Sequence, residues 1–207
     1  MSKASDPARL PARERLLAAA EALFYEEDFN AVGIDRVIER AGVAKASLYD
    51  CFGSKEELIR AYLLARQAAR QRRLTEGLAR YAAPRERLLG VFDILAEVLA
   101  EPGFRGCAFV KAGAQSKAGS SLARVCDDTR QWLRELFAAL ARDAGAANPE
   151  VLAQQYVLLY DGALVSAQMD RNPKAAAAAR TVAAAMLDVA TATTTTTTTA
   201  APPVSGA

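Results

Sequence analysis

Apolar positions recur at helical spacing along almost the whole chain. Leu16, Leu17, Ala20, Leu23 and Phe24 predict a first helix from near Pro11, stopped by Glu26-Glu27-Asp28. Val37, Ile38 and Ala41 give a short second helix one apolar face, and Gly42 follows where a helix commonly ends on a left-handed residue. A third short helix spans about 44–50, with Leu48 and Phe52 turned to the core. Leu58, Ile59, Tyr62 and Leu63 then open a long helix running from 54 to about 80. Pro84 starts the next, with Leu88, Leu89, Phe92, Leu95, Ala96 and Leu99 in register until Glu101-Pro102-Gly103 breaks it. The glycine-broken stretch 104–120 reads as a loop with a short helix. The run Leu122, Val125, Cys126, Thr129, Leu133, Leu136, Phe137, Leu140 defines an amphipathic helix ending before Gly145. Two final helices cover about 149–169 and 173–190. No stretch alternates with the period of two that marks a strand, so the chain is expected to be all-α.

Two short helices joined by a glycine-containing turn form a helix-turn-helix, whose second helix can enter a DNA major groove. Lys45 falls in the first turn of that second helix. Lys55 follows Ser54, which has the look of an N-cap with Glu57 closing a capping box. Helix N-termini bind phosphate readily, and a lysine beside each would reinforce this. Lys45, Lys55 and Tyr49 are therefore the candidate phosphate contacts. Small side chains, Ala46, Ser47 and Ala44, would face the bases, favouring methyl contacts to thymine and shape readout over bidentate hydrogen bonds. A small packing motif with solvated lysines is the competing reading of the same pattern.

The stretch Ala41-Gly42-Val43-Ala44-Lys45-Ala46-Ser47-Leu48-Tyr49-Asp50-Cys51-Phe52-Gly53-Ser54-Lys55-Glu56-Glu57-Leu58 resembles the signature of the TetR-type family of bacterial transcriptional repressors. The resemblance covers roughly the first quarter of the chain. Gly33 stands where the family usually has Ser or Thr capping the second helix, Ala44 replaces a common Ser, and Cys51 replaces the usual His or Tyr. The missing hydroxyl at Ala44 should weaken local capping by roughly 0.5–2 kcal/mol, and that at Gly33 by less. Cys51 is expected to be a structural filler and not a redox switch. The resemblance implies an all-α protein: an N-terminal three-helix helix-turn-helix domain joined to a larger C-terminal helical ligand-binding and dimerisation domain. The expected divisions are 1–53 for arm and DNA-binding domain (with DNA-binding residues Lys45, Ala46, Ser47, Tyr49, Ser54 and Lys55), 54–190 for the second domain, and 191–207 for a disordered tail. That tail holds seven consecutive threonines and then Pro202-Pro203.

Composition narrows the chemistry further. With no histidine among 207 residues, Ser-His-Asp and Cys-His catalysis are excluded, and a zinc site has almost no route. No phosphate-binding glycine loop and no metal-ligand spacing occur, so neither an enzyme nor a cofactor is expected. Three cysteines without a CxxC pair argue against a disulfide framework. No apolar run is long enough to span a bilayer, and Glu14, Glu21 and several arginines interrupt any leader-like segment, giving a cytoplasmic expectation. Net charge is only +2, and residues 1–80 carry fourteen Lys and Arg against twelve Asp and Glu. Nucleic-acid binding must therefore use a local patch. Lys3 and Arg9 in the first ten residues are placed to trail along DNA.

The last two helices carry apolar residues on more than one face, as a helix buried on both sides must. Leu152, Gln155, Tyr156, Leu159, Gly162, Ala163, Ser166 and Met169 are read as one side of the first, with Leu158, Tyr160 and Val165 on another. Self-association through about 149–190 fits this pattern, and the resemblance implies a homodimer on a double-stranded, pseudo-palindromic operator, released by a small-molecule effector. The expected cavity gathers Phe92, Leu95, Leu99, Phe104, Phe109, Trp132, Phe137, Tyr156 and Tyr160, with Tyr156, Gln155 and Asp161 supplying polar groups. Arg66, Arg70, Arg72 and Arg73 are read as a solvated face. Because Arg and Lys are then scarce on the inward faces, the expected effector is apolar and neutral or cationic. A helix-turn-helix protein with no ligand, controlled by a protein partner, is the alternative, and a cavity separates the two.

Overall fold

The computed structural model describes residues 10–192 apart from Asp28. The expected N-terminal arm with Lys3 and Arg9, and all but the first two residues of the threonine-rich tail, lie outside the described residues. Among the described residues the chain forms helices only: α1 Ala12–Glu26, α2 Ile34–Ala41, α3 Lys45–Phe52, α4 Lys55–Leu78, α5 Pro84–Leu99, α6 Ala108–Gln115, α7 Ser121–Asp143, α8 Pro149–Asp170 and α9 Ala175–Thr191.

The punctuation residues set most of these ends. Gly42 closes α2 at φ 62°, ψ 42°, and its amide donates to the Glu39 carbonyl at 3.1 Å while the Val43 amide reaches the Ile38 carbonyl. That left-handed turn is where a β-carbon would be strained, and it aims α3 away from α2. Pro84 and Pro149 take the first turns of α5 and α8, where a missing N–H is no loss. Gly33 and Ala44 precede α2 and α3 without any side-chain cap bond. Ser54 does cap α4, accepting from the Glu57 amide at 3.1 Å. The capping box is only half made, because the Glu57 carboxylate turns to Arg60 at 2.8 Å.

Two apolar clusters organise the packing. One holds α1–α3 and the first two turns of α4, from Leu16 through Phe24, Val37 and Leu48 to Leu58 and Leu63. It also takes in Ala108 and Ala112 of α6 and Leu122 and Val125 of α7. The second joins Leu74 and Leu78 of α4 to α5, α7, α8 and α9. Helix α4 therefore runs from one core to the other. At the centre of the second cluster Phe92, Phe137 and Tyr156 pack ring against ring at 5.5–5.9 Å, and the Tyr156 hydroxyl donates to the Ala183 carbonyl at 2.5 Å. No helix among the described residues is long and apolar enough to cross a membrane.

Candidate nucleic-acid interface and ligand cavity

Helix α3 is held from behind and open in front. Leu48 and Phe52 are buried, whereas Lys45, Ala46 and Tyr49 are exposed and Ser47 is half-buried. Helix α1 braces the motif: Arg15 Nη1 donates to the Gly42 carbonyl at 3.0 Å, and the Arg13 guanidinium lies 4.9 Å from the Phe52 ring centre. At the far end Arg36 grips Glu27 with two bonds of 2.7 and 2.8 Å, which lowers the Glu27 pKa through that hydrogen bond. Lys45 pairs with Asp35 at 3.1 Å, and its pKa is raised by this hydrogen bond. Lys55 Nζ reaches the Asn30 carbonyl at 3.4 Å, beside the capped start of α4. All six candidate DNA-binding residues thus lie on α3 or at the neighbouring N-terminus of α4. The sequence did not signal that Asp35 would compete for Lys45.

The cavity is built from different residues than the aromatic pattern indicated. It encloses about 120 Å³ between α1, α4, α5, α8 and the 104–109 segment. Four of the nine candidates line it: Leu95, Phe104, Phe109 and Tyr160. Phe92, Phe137 and Tyr156 do not, because their rings fill the core by stacking on one another. Trp132 packs half-buried against that core, and Leu99 lines a separate shallow groove with Ala167 and Pro173. Nor do the expected polar groups reach it. Gln155 is exposed, Asp161 is bound by Arg130, and the Tyr156 hydroxyl is spent on Ala183.

Arginines supply the polar wall instead. Arg66, Arg70 and Arg73, expected to be solvated, all line the cavity, facing Leu74, Ile94 and Leu164. The reason is their spacing: Tyr62, Arg66, Arg70 and Leu74 stand four residues apart and share the inward face of α4. Of the four arginines in the segment only Arg72 stays on an exposed face away from this cavity. The Arg66 guanidinium stacks 4.5 Å over Tyr25, and Arg73 pairs with Glu101 at 2.6 Å. Arg70 lies 4.8 Å from the Phe109 ring centre and donates to Cys107 Sγ at 3.1 Å. Burial opposes its charge, but the electrostatic influence of Tyr160, Cys107 and Asp161 more than offsets it and the pKa is raised. Exposed Ala69, Arg73 and Glu101 stand at the mouth. Gly106 sits at φ 90°, a left-handed backbone that strains any residue with a β-carbon, which favours glycine where this loop closes the wall.

The wall also touches the DNA-facing half. Tyr25 of α1 lines the cavity, and its hydroxyl accepts from the Arg105 amide at 3.1 Å. Ala108 belongs both to the cavity wall and to the α1–α4 core. Farther along, Asn30 donates to Gln115 at 2.8 Å and Ser121 to Glu56 at 2.7 Å.

Comparison with known proteins matches residues 16–62 to the family described as bacterial regulatory proteins, tetR family. The likeness extends over the whole fold. A putative TetR transcriptional regulator (sav143) from Streptomyces avermitilis is 32% identical, with a TM-score of 0.76 over 87% of this chain and 98% of that one. This chain belongs to the TetR family of helix-turn-helix transcriptional regulators. SCO4454, a TetR-family regulator from Streptomyces coelicolor, superposes with a TM-score of 0.82 at 28% identity, covering 87% of this chain and 96% of that chain. The repressor NemR of Escherichia coli is 34% identical over 108 residues, 50% of this chain and 53% of NemR. The chain thus matches about half the length of that curated relative. As a member of this non-enzymatic family the protein is a transcriptional regulator.

Proposed function

We propose that this regulator is a repressor that holds a pseudo-palindromic operator as a homodimer and releases it when a small molecule enters the cavity. The observation that carries the reading is the cavity wall itself, which combines α4, α5 and α8 with Tyr25 of α1 and Ala108 of α6. A ligand there changes contacts on the helix that braces α3 and on the helix that bridges the two cores. A ligand shifts an equilibrium only by its differential affinity for two states, and this wall is positioned to supply one. The alternative, a ligand-free protein under partner control, calls for a closed core, and the cavity weighs against it.

Dimerisation rests on the surface of α8 and α9. Val151, Leu158, Val165 and Met169 are exposed along one stripe of α8, and Val182 and Val189 along α9. The core-facing stripe is Leu152, Tyr156, Tyr160, Ala163 and Ala167, so Gly162, Ser166 and Met169 belong to the outer face and Tyr160 to the inner one, a correction to the sequence pattern. A β-carbon on Gly162 would meet nothing within 4 Å, leaving room for a second helix to approach. A large exposed apolar patch of this kind marks an interaction site. In the dimer, Lys45, Tyr49, Ser54 and Lys55 hold phosphates while Ala46 and Ser47 meet base edges.

The test starts from a random DNA pool selected on the purified protein, followed by titration of the enriched duplex in a sedimentation experiment. A dimer binding one duplex is the expected result. Failure to enrich any sequence, or a monomer on each half-site without coupling, overturns the proposal.

A further inference from the structure

We infer that the cavity takes a small organic monoanion, a carboxylate carried on an apolar body no larger than a single ring, and that Arg70 binds the carboxylate. The inference deepens the ligand-release reading above and rests on it.

Arg70 is the side chain that selects the ligand's charge. A guanidinium stays charged at any accessible pH and offers five donors in a fixed fork. Enclosing such a group is unfavourable unless acceptors meet it. Here it meets a thiol sulfur and the faces of Phe109 and Tyr160. Among the described residues no carboxylate lies within 4 Å of it: Glu101 is engaged by Arg73, and Asp161 by Arg130. The cavity thus presents a forked cation with no anion in contact, Asp161 acting on it only from beyond ion-pair distance, a geometry that a carboxylate satisfies bidentately. The buried Tyr62 hydroxyl close by has no hydrogen-bond partner, and its electrostatic neighbours are Arg66, Glu21, Tyr25 and Cys107.

Size and wall chemistry fix the rest of the ligand. The cavity, open at its mouth, has a volume of about 120 Å³, somewhat below the ~150 Å³ of an apolar cavity that accepts benzene, so a single ring is the upper limit for the body. Leu74, Ile94, Leu95 and Leu164 offer the body no polar partner. Arg66 is paired with Glu21 at 3.5 Å and Arg73 with Glu101 at 2.6 Å, which leaves Arg70 as the wall's cation with no carboxylate in contact and disfavours a second cation beside it. The neutral or cationic effector expected from the sequence rested on a scarcity of inward arginines that the structure does not have.

Benzoate, benzamide and benzylamine share one body and differ in charge, which makes them suitable probes. Calorimetric titration of the full chain with each, paired with operator release, separates the possibilities. Benzoate is expected to bind tightest and to release DNA. Arg70→Met should weaken benzoate by about 30-fold or more while moving benzamide less than about threefold. Ala69→Trp, which plugs the mouth from an exposed position, should abolish binding. Arg70→Lys retains the charge and should keep intermediate affinity, so it serves if Arg70→Met does not fold. Benzamide or benzylamine binding as well as benzoate, with loss in Ala69→Trp, overturns the anion but leaves ligand release standing. Benzoate binding that neither substitution disturbs lies elsewhere and overturns the assignment. No heat and no DNA release with any of the three at millimolar concentration overturns both.

Discussion

Replacing Leu158 probes the proposed dimer at its most informative position. Its side chain lies midway along the outer stripe of α8 and is 67% exposed in the isolated chain. Full burial of a leucine is worth about 1.5–3 kcal/mol, so removing two-thirds of its surface from water contributes about 1–2 kcal/mol. A two-fold interface contains the residue twice. Leu158→Ala should therefore weaken dimerisation by about 2–4 kcal/mol, roughly 30-fold to nearly 1,000-fold in the dissociation constant. Leu158→Glu should go further, because two carboxylates must also be desolvated. Sedimentation equilibrium across a concentration series reads the constant directly. Val110→Ala, at an exposed apolar position on α6, is the control and should leave it unchanged. A dissociation constant for Leu158→Ala within about threefold of the parent would show that this stripe is not the interface, and the dimer assignment would fall with it.

Other predictions are independent of that surface. Lys45→Ala should weaken all DNA sequences about equally and lower the slope of log K against log salt by roughly 2 per dimer; an unchanged slope would leave Lys45 merely paired with Asp35. Asp35→Asn, which frees Lys45 and removes a negative charge beside the DNA face, should strengthen binding at low salt and lose that advantage at high salt. Ser54→Ala removes the single side-chain cap at the head of α4 and should cost about 1 kcal/mol in urea unfolding. Burial raises the Cys126 pKa to about 11, so the folded state holds its proton after the unfolded chain has released it. That contribution is complete below about pH 8.5 and lost as pH rises through about 11. The melting temperature should accordingly fall over that window, by less in Cys126→Ala.

Several helix ends were legible because they coincide with a residue whose backbone permits little else: Gly42 after α2, and Pro84 and Pro149 at the heads of α5 and α8; α3 runs on to Phe52, two residues past its expected end. The outward residues of α3 were legible for the same reason, since Leu48 and Phe52 leave only one face for Lys45, Ala46 and Tyr49. The cavity was not. Phe92, Phe137 and Tyr156 have the spacing of wall residues, but spacing cannot say whether a ring faces a void or another ring. Arginine reads as surface in any hydropathy pattern, which hid Arg70. A signal was nonetheless present: Arg66 and Arg70 interrupt a stripe that is inward at Tyr62 and inward again at Leu74. Two cations inside a buried stripe require a reason, and the cavity is that reason. The outer face of α8 was partly misassigned because small residues, Gly162 and Ala163, fall on opposite sides of its boundary.

Hydroxyl-radical footprinting of the protein on a duplex selected from random DNA tests the central claim, a two-headed reader built on α3, most directly. Two protected half-sites related by a two-fold axis are expected, their centres one helical turn or a whole multiple apart, about 34–36 Å per turn. Both footprints should vanish together in Lys45→Ala at moderate salt. A single protected patch, or two patches at a spacing that puts the second head on the opposite side of the duplex, would contradict it.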